Sequence, residues 1–102
     1  MAVSLQVIYP VGADTTFDFD YYLGTHFDLV GEHMGPHIAG TVVTKGVAGG
    51  PDVAAGYHAI ATITFADQDA FNAAMAASGP VMADVPNFTN AQPDVLIGEV
   101  VG

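Results

Sequence analysis

The chain has 102 residues, 11 of them acidic, and a single basic side chain, Lys45, with no arginine, for a net charge of −10. Phosphate neutralisation needs Lys and Arg, so a nucleic-acid partner is excluded, and an anionic membrane surface would repel the chain. There is no cysteine, which removes disulfides, thiolate catalysis and Cys-based metal sites, and no stretch reaches the roughly 18 apolar residues of a membrane span. The N-terminus lacks the basic leader of a signal peptide, so a cytoplasmic location is expected.

Val3, Leu5, Val7 and Tyr9 alternate with Ser4, Gln6 and Ile8, which predicts a half-buried strand ended by Pro10 and Gly12. Asp14 to Thr16 is a polar loop. Asp18 is a good N-cap, and Phe19, Tyr22, Leu23, His26, Leu29, Val30 and His33 recur at helical spacing until Gly35-Pro36 stops the run. Residues 38–47 are β-branched and small, a second strand, followed by the turn cluster Gly49-Gly50-Pro51-Asp52. Tyr57 to Phe65 alternates as a third strand. Asp67 caps a second helix over Asp69 to about Ser78, which Gly79-Pro80 interrupts, and residues 81–85 allow one more helical turn. Residues 94–101 form the last strand.

The order strand, helix, strand, strand, helix, strand is two βαβ units. It predicts an α+β, ferredoxin-like βαββαβ domain over 1–102: a four-stranded antiparallel sheet with both helices on one face. The free face would carry Ser4, Gln6, Ile8, His58, Ile60, Thr62 and Thr64, with no charge among them. Such a face is expected to pack on its own copy, as a C₂ homodimer.

Three segments carry a family resemblance: DYYLGTH (20–26), ATITFADQDAFNAAMA (61–76) and MADVPNFTNAQPDVLIGEV (82–100). Together they resemble the EthD family of the dimeric α+β barrel superfamily, and the stretch from Pro86 to Pro93 is the most specific part. The resemblance implies two ferredoxin-like sheets facing each other. The family is named for a protein linked to ethyl tert-butyl ether degradation, and its wider relatives include cofactor-free monooxygenases, lactone isomerases, polyketide cyclases and haem enzymes. Family members often read H-x-P after the tyrosine pair; here the residue after His26-Phe27 is Asp28.

Chemistry is scarce in this chain, and His26 is its best candidate. Imidazole titrates near neutrality and suits proton transfer; the alternative is a core histidine with both nitrogens satisfied. Tyr22, one turn earlier, is its expected partner, and Phe19 flanks it. Tyr21 is expected to point sideways, towards a neighbouring chain. Tyr9 is expected at a pocket mouth, His58 and Gln6 in the space between two facing sheets, and Asn87 and Asn90 in a turn that could rim a pocket. His26 and His33 lie two turns apart, about 10.5 Å, and Gly35-Pro36 separates His33 from His37, so no metal site is expected and His33 is read as a helix C-terminal cap. No G-x-G-x-x-G, phosphate loop or serine nucleophile motif occurs, and no cofactor is expected. Two functions remain open: a cofactor-free isomerase, oxygenase or cyclase acting on a small neutral organic molecule in degradation or secondary metabolism, or a non-catalytic ligand-binding or accessory protein of an oxygenase system.

Overall fold

A computed structural model describes all 102 residues. β1 (Val3–Pro10), β2 (Gly40–Lys45), β3 (Tyr57–Phe65) and β4 (Asp94–Glu99) form one sheet in the order β2-β3-β1-β4, every neighbouring pair antiparallel. This is the ferredoxin-like arrangement that the element order predicts. β2 and β4 are shorter than their apolar runs: residues 38 and 39 are taken up after a 3₁₀ turn (Gly35–His37), and the ladder stops at Glu99. β2 leaves the sheet at Gly46, where a Cβ would collide with the carbonyl oxygen of Tyr57, so only glycine allows the close approach.

The first helical region is not one regular helix. A short α1 (Phe19–Tyr21) runs into a π-helical turn (Tyr22–His26), and α2 (Phe27–His33) follows. Asp18 caps it by accepting a hydrogen bond from the Tyr21 N–H at 3.1 Å, a contribution of about 1 kcal/mol. In the π turn the Phe27 N–H reaches back five residues to the Tyr22 carbonyl. That extra residue shifts the phase of the helix. Tyr22, His26, Val30 and Met34, spaced by four, therefore face the sheet, whereas Leu23, expected beside them, is 58% exposed. With Asp28 instead of proline, α2 continues unbroken past His26.

On the other side, Asp67 caps α3 (Gln68–Ala76) by accepting from the Ala70 N–H at 2.8 Å. Gly79-Pro80 does not merely interrupt: it opens α4 (Gly79–Asp84), where a proline in the first turn has no helical partner to lose. A 3₁₀ turn (Val85–Asn87) ends the region.

The alternation in β1, and in β3 from Ala59 onward, resolves as read, whereas Tyr57, placed with the helix-side residues by strict alternation, is exposed. Val3, Leu5, Ala59, Ala61, Ile63 and Phe65 are buried under the helices with Val30, Met34, Phe71, Ala74 and Val81. A second, aromatic cluster of Tyr9, Tyr22, Ala59 and Phe88 sits at the far end of the sheet. The opposite face, with Ser4, Gln6, Ile8, Ile60, Thr62 and Thr64 half-buried, has no element of this chain over it. The register adds Val42 beside Thr62 and Leu96 beside Gln6 to that face, and the only charge on these paired rows is Asp94, at the end of β4 beside Ile8. No helix is long and apolar enough to cross a membrane.

Candidate functional site

The π turn and α4 meet in a small polar centre set into apolar surroundings. His26, 4% exposed, places Nδ1 3.0 Å from Oδ2 of Asp84, which α4 supplies. The other carboxylate oxygen, Oδ1, accepts two bonds: from the Tyr21 hydroxyl at 2.7 Å and from Nδ2 of Asn87 at 2.9 Å. Three donors thus converge on one buried carboxylate. Burial works against its charge, but the hydrogen bonds from Tyr21, Asn87 and His26 outweigh burial and hold Asp84 below its ordinary value. Tyr21 is pushed up, first by that same bond to Asp84.

A carboxylate only accepts, so Nδ1 of the neutral imidazole carries the proton and Nε2 presents its lone pair. Nε2 makes no hydrogen bond within the chain and is not sealed off. His26 lines a cavity of about 110 Å³ between the sheet and the helices, walled by Leu5, Val7, Tyr22, Phe27, Val30 and Ile63 among others. Of its 18 lining residues 15 are hydrophobic, the others being His26, Ser78 and Pro93, and the Ser78 hydroxyl donates to the Met75 carbonyl at 2.7 Å. His26 is therefore the one lining side chain equipped to accept a proton inside this cavity.

Tyr22 lines the cavity and stacks on His26, with ring centroids 5.3 Å apart and planes 14° apart. Its hydroxyl is not bonded to the imidazole. Burial, and next the neighbouring Tyr9, raise its pKa, and burial pushes Tyr9 up to about 12. Both phenols stay protonated at neutral pH. Tyr22 fixes the imidazole plane from one side, and Phe88 approaches it from another at 4.6 Å. Tyr9 also lines the cavity, but at 3% exposed it belongs to the closed end and not to the mouth where it was expected.

The remaining predicted residues lie outside the cavity. Phe19 packs on Phe17 and takes the Lys45 ammonium over its ring at 4.8 Å. Asn87 does not line the cavity; it steadies Asp84. His58 is swung away by a bulge: Tyr9 pairs with Ala59 and Pro10 with Tyr57, leaving His58 without a partner across the ladder. Its Nε2 lies 2.9 Å from the Thr15 hydroxyl, and its ring stacks on Phe17. Gln6 stays on the open face, bonded to Thr62. The 86–93 segment is a clasp: Asn90 bonds the Thr16 N–H and the Asp14 carbonyl, and Thr89 bonds the Thr16 carbonyl. Nowhere do three His, Cys, Asp or Glu side chains gather in a metal-binding group.

Sequence reasoning missed Asp84 and turned Tyr21 outwards. A signal for Asp84 existed. It stands three residues after Val81 in a potential helical turn, so if Val81 faces the core, Asp84 lies on the same side.

A model of the EthD domain matches residues 12–92. The chain belongs to the EthD family. The solved structure of an EthD-like protein from Ralstonia eutropha JMP134 is 29% identical, covers 99% of this chain and 93% of its own, and superposes with a TM-score of 0.88. An EthD family protein from Bacillus halodurans C-125 is 23% identical, with 99% and 100% covered and a TM-score of 0.78. SnoaB from Streptomyces nogalater, a cofactor-independent oxygenase solved in a mutant form, shares the fold at 14% identity, with 97% and 91% covered and a TM-score of 0.58. No curated protein matches the chain. The EthD fold is thus common ground, and the His26–Asp84 pair is read from this chain's own geometry.

Proposed function

We propose that this EthD protein binds a small neutral organic molecule in the cavity and moves a proton on it without a cofactor. The reading rests on the His26–Asp84 bond, which in the neutral ring places the proton on Nδ1 and turns the free Nε2 to an apolar cavity. Nε2 takes a proton from a C–H beside a carbonyl or from a phenolic O–H. From a C–H the electron pair moves through to the carbonyl oxygen as enolate; from an O–H it stays on that oxygen as phenolate. In either case the Asp84 carboxylate steadies the imidazolium that forms. Return of the proton to a different atom completes an isomerisation. The same deprotonation begins a cyclisation or a reaction of the anion with dioxygen, and the fold shared with SnoaB favours the oxygenase branch by analogy. An anionic substrate is disfavoured: the chain's only Lys or Arg is Lys45, already placed over Phe19.

A panel of lactones, cyclic ketones and phenols in deuterium oxide, followed by proton NMR, tests the reading. At least one member is expected to exchange a C–H in proportion to protein, and His26→Gln to slow this by about a hundredfold or more. No exchange by the wild type together with no dioxygen uptake on the phenols, or equal rates in the variant, removes the enzyme and leaves a ligand-binding protein. We further propose a homodimer through the open face of the sheet, whose paired rows carry no charge but Asp94 at one end; sedimentation as a 10.5 kDa particle would contradict it.

A further inference from the structure

The cavity is not uniformly enclosed. At its back, Leu5, Val30 and Met34 are at most 5% exposed, whereas Met82, Val95 and Ile97, which line it too, are 57%, 55% and 53% exposed. The mouth therefore opens between α4 and the inner-facing residues of β4. β4 is an edge strand, and its register places Val95 beside Val7 and Ile97 beside Leu5, on the helix side of the sheet. Edge position explains the exposure: the helices cover the centre of the sheet and stop short of β4. No charged side chain lines the mouth or the cavity.

Size and wall chemistry constrain what enters. An apolar cavity of roughly 150 Å³ holds one benzene ring, so about 110 Å³, open on one side, admits a single ring and little more. Met34, Met75 and Met82, every methionine after the first residue, line it together with Tyr9, Tyr22 and Phe27. Thioethers and aromatic edges make favourable contacts with a flat ring and adjust to its substituents. A molecule larger than one ring has one apolar way out, past Met82 and along Val95 and Ile97.

Building on the reading of this cavity as the site, we infer that its ligand is an uncharged amphiphile. One ring, bearing the acidic group, meets His26, and an apolar tail leaves through the Met82–Val95–Ile97 mouth. The exposed aliphatic side chains at β4 are the tail's binding surface.

Equilibrium dialysis of the full chain with 4-alkylphenols from methyl to butyl tests this, alongside 4-alkylbenzoates with the same tails. Phenol affinity is expected to rise about two- to fourfold per methylene, the range for partial to full burial, at one ligand per chain. Benzoates are expected to bind at least about tenfold more weakly. Val95→Asp and Met82→Glu, on opposite sides of the mouth, are expected to flatten the series, read as the butyl-to-methyl affinity ratio. A flat series in the wild type, or benzoates as tight as phenols, overturns the inference, and the wild-type series decides it even if both variants unfold. A rising series with neither deuterium exchange nor dioxygen uptake leaves this assignment standing and removes proton transfer; exchange or uptake with a flat series does the reverse.

Discussion

Replacing Asp84 by Asn is expected to slow proton transfer by two to four orders of magnitude, about 10²–10⁴-fold, with the fold kept. The reason is the tautomer. Oδ1 of Asp84 accepts from Tyr21 and Asn87, while Oδ2 faces Nδ1 of His26. Asn keeps one acceptor oxygen, and two donors compete for it on the Oδ1 side. Its amide nitrogen then faces Nδ1, which must accept, so the ring proton moves to Nε2. The nitrogen at the cavity becomes a donor and ceases to be a base. The loss should appear in the turnover rate and much less in ligand affinity, since the cavity walls are untouched. A variant that exchanges protons like the wild type would mean that the carboxylate does not set the imidazole.

The same substitution has a pH signature in stability. Asp84 ionises below its ordinary value of 3.8 in the folded chain. A carboxyl whose native pKa is depressed stabilises the fold fully above its unfolded value, and that contribution is lost as pH falls through the native value. The wild type should therefore exceed Asp84→Asn in stability near neutrality, by about 1–3 kcal/mol for the weakened buried hydrogen bonds. The gap should close only below the ordinary carboxylate range. Denaturant melts of both chains across the acid range check this; a gap independent of pH would contradict it.

The second large effect concerns Tyr22, and here two substitutions are expected to separate sharply. Tyr22→Ala removes a ring that is 1% exposed and packed against Tyr9, Phe17, His26, Phe27 and Phe88. An aromatic-to-alanine change in such a site costs about 3–5 kcal/mol, a large share of a small domain's stability of about 5–15 kcal/mol. Tyr22→Phe keeps the ring and its stacking on the imidazole. Since the hydroxyl is protonated and not bonded to His26, this variant is expected to melt within about 1 kcal/mol of the wild type and to transfer protons within about tenfold. Tyr22 is thus a positioning residue. A Phe variant as slow as Asp84→Asn would instead make the hydroxyl a reacting group.

The strands were legible because a half-covered sheet writes its two faces into alternate residues, as Val3 to Tyr9 and Tyr57 to Phe65 do. The helix starts were legible through Asp18 and Asp67, whose side chains do accept the expected N–H bonds. What misled was the assumption of constant helical pitch. The π turn at Tyr22–His26 inserts one residue per turn, which kept His26 inward, moved Leu23 to solvent, and brought Tyr21 to Asp84. A periodicity scan has no term for that shift. His58 was misplaced for a similar reason, because a bulge at Tyr9/Pro10 breaks the strict alternation. Asp84 was overlooked because His26 and Tyr21, the partners that give it a place in the site, are 58 and 63 residues away, and no local pattern joins them. The cavity mouth arises from helices that stop short of an edge strand, a consequence of three-dimensional packing with no mark in the sequence of β4.

The proposed proton transfer depends on His26 offering a bare Nε2 because Asp84 holds the proton of the neutral ring on Nδ1. Nitrogen-15 NMR of the imidazole, at a pH where the ring is neutral, tests this without any substrate. A protonated Nδ1 coupled to its own hydrogen and an unprotonated Nε2 are expected, with the pattern reversed in Asp84→Asn. A proton on Nε2 in the wild type would contradict it.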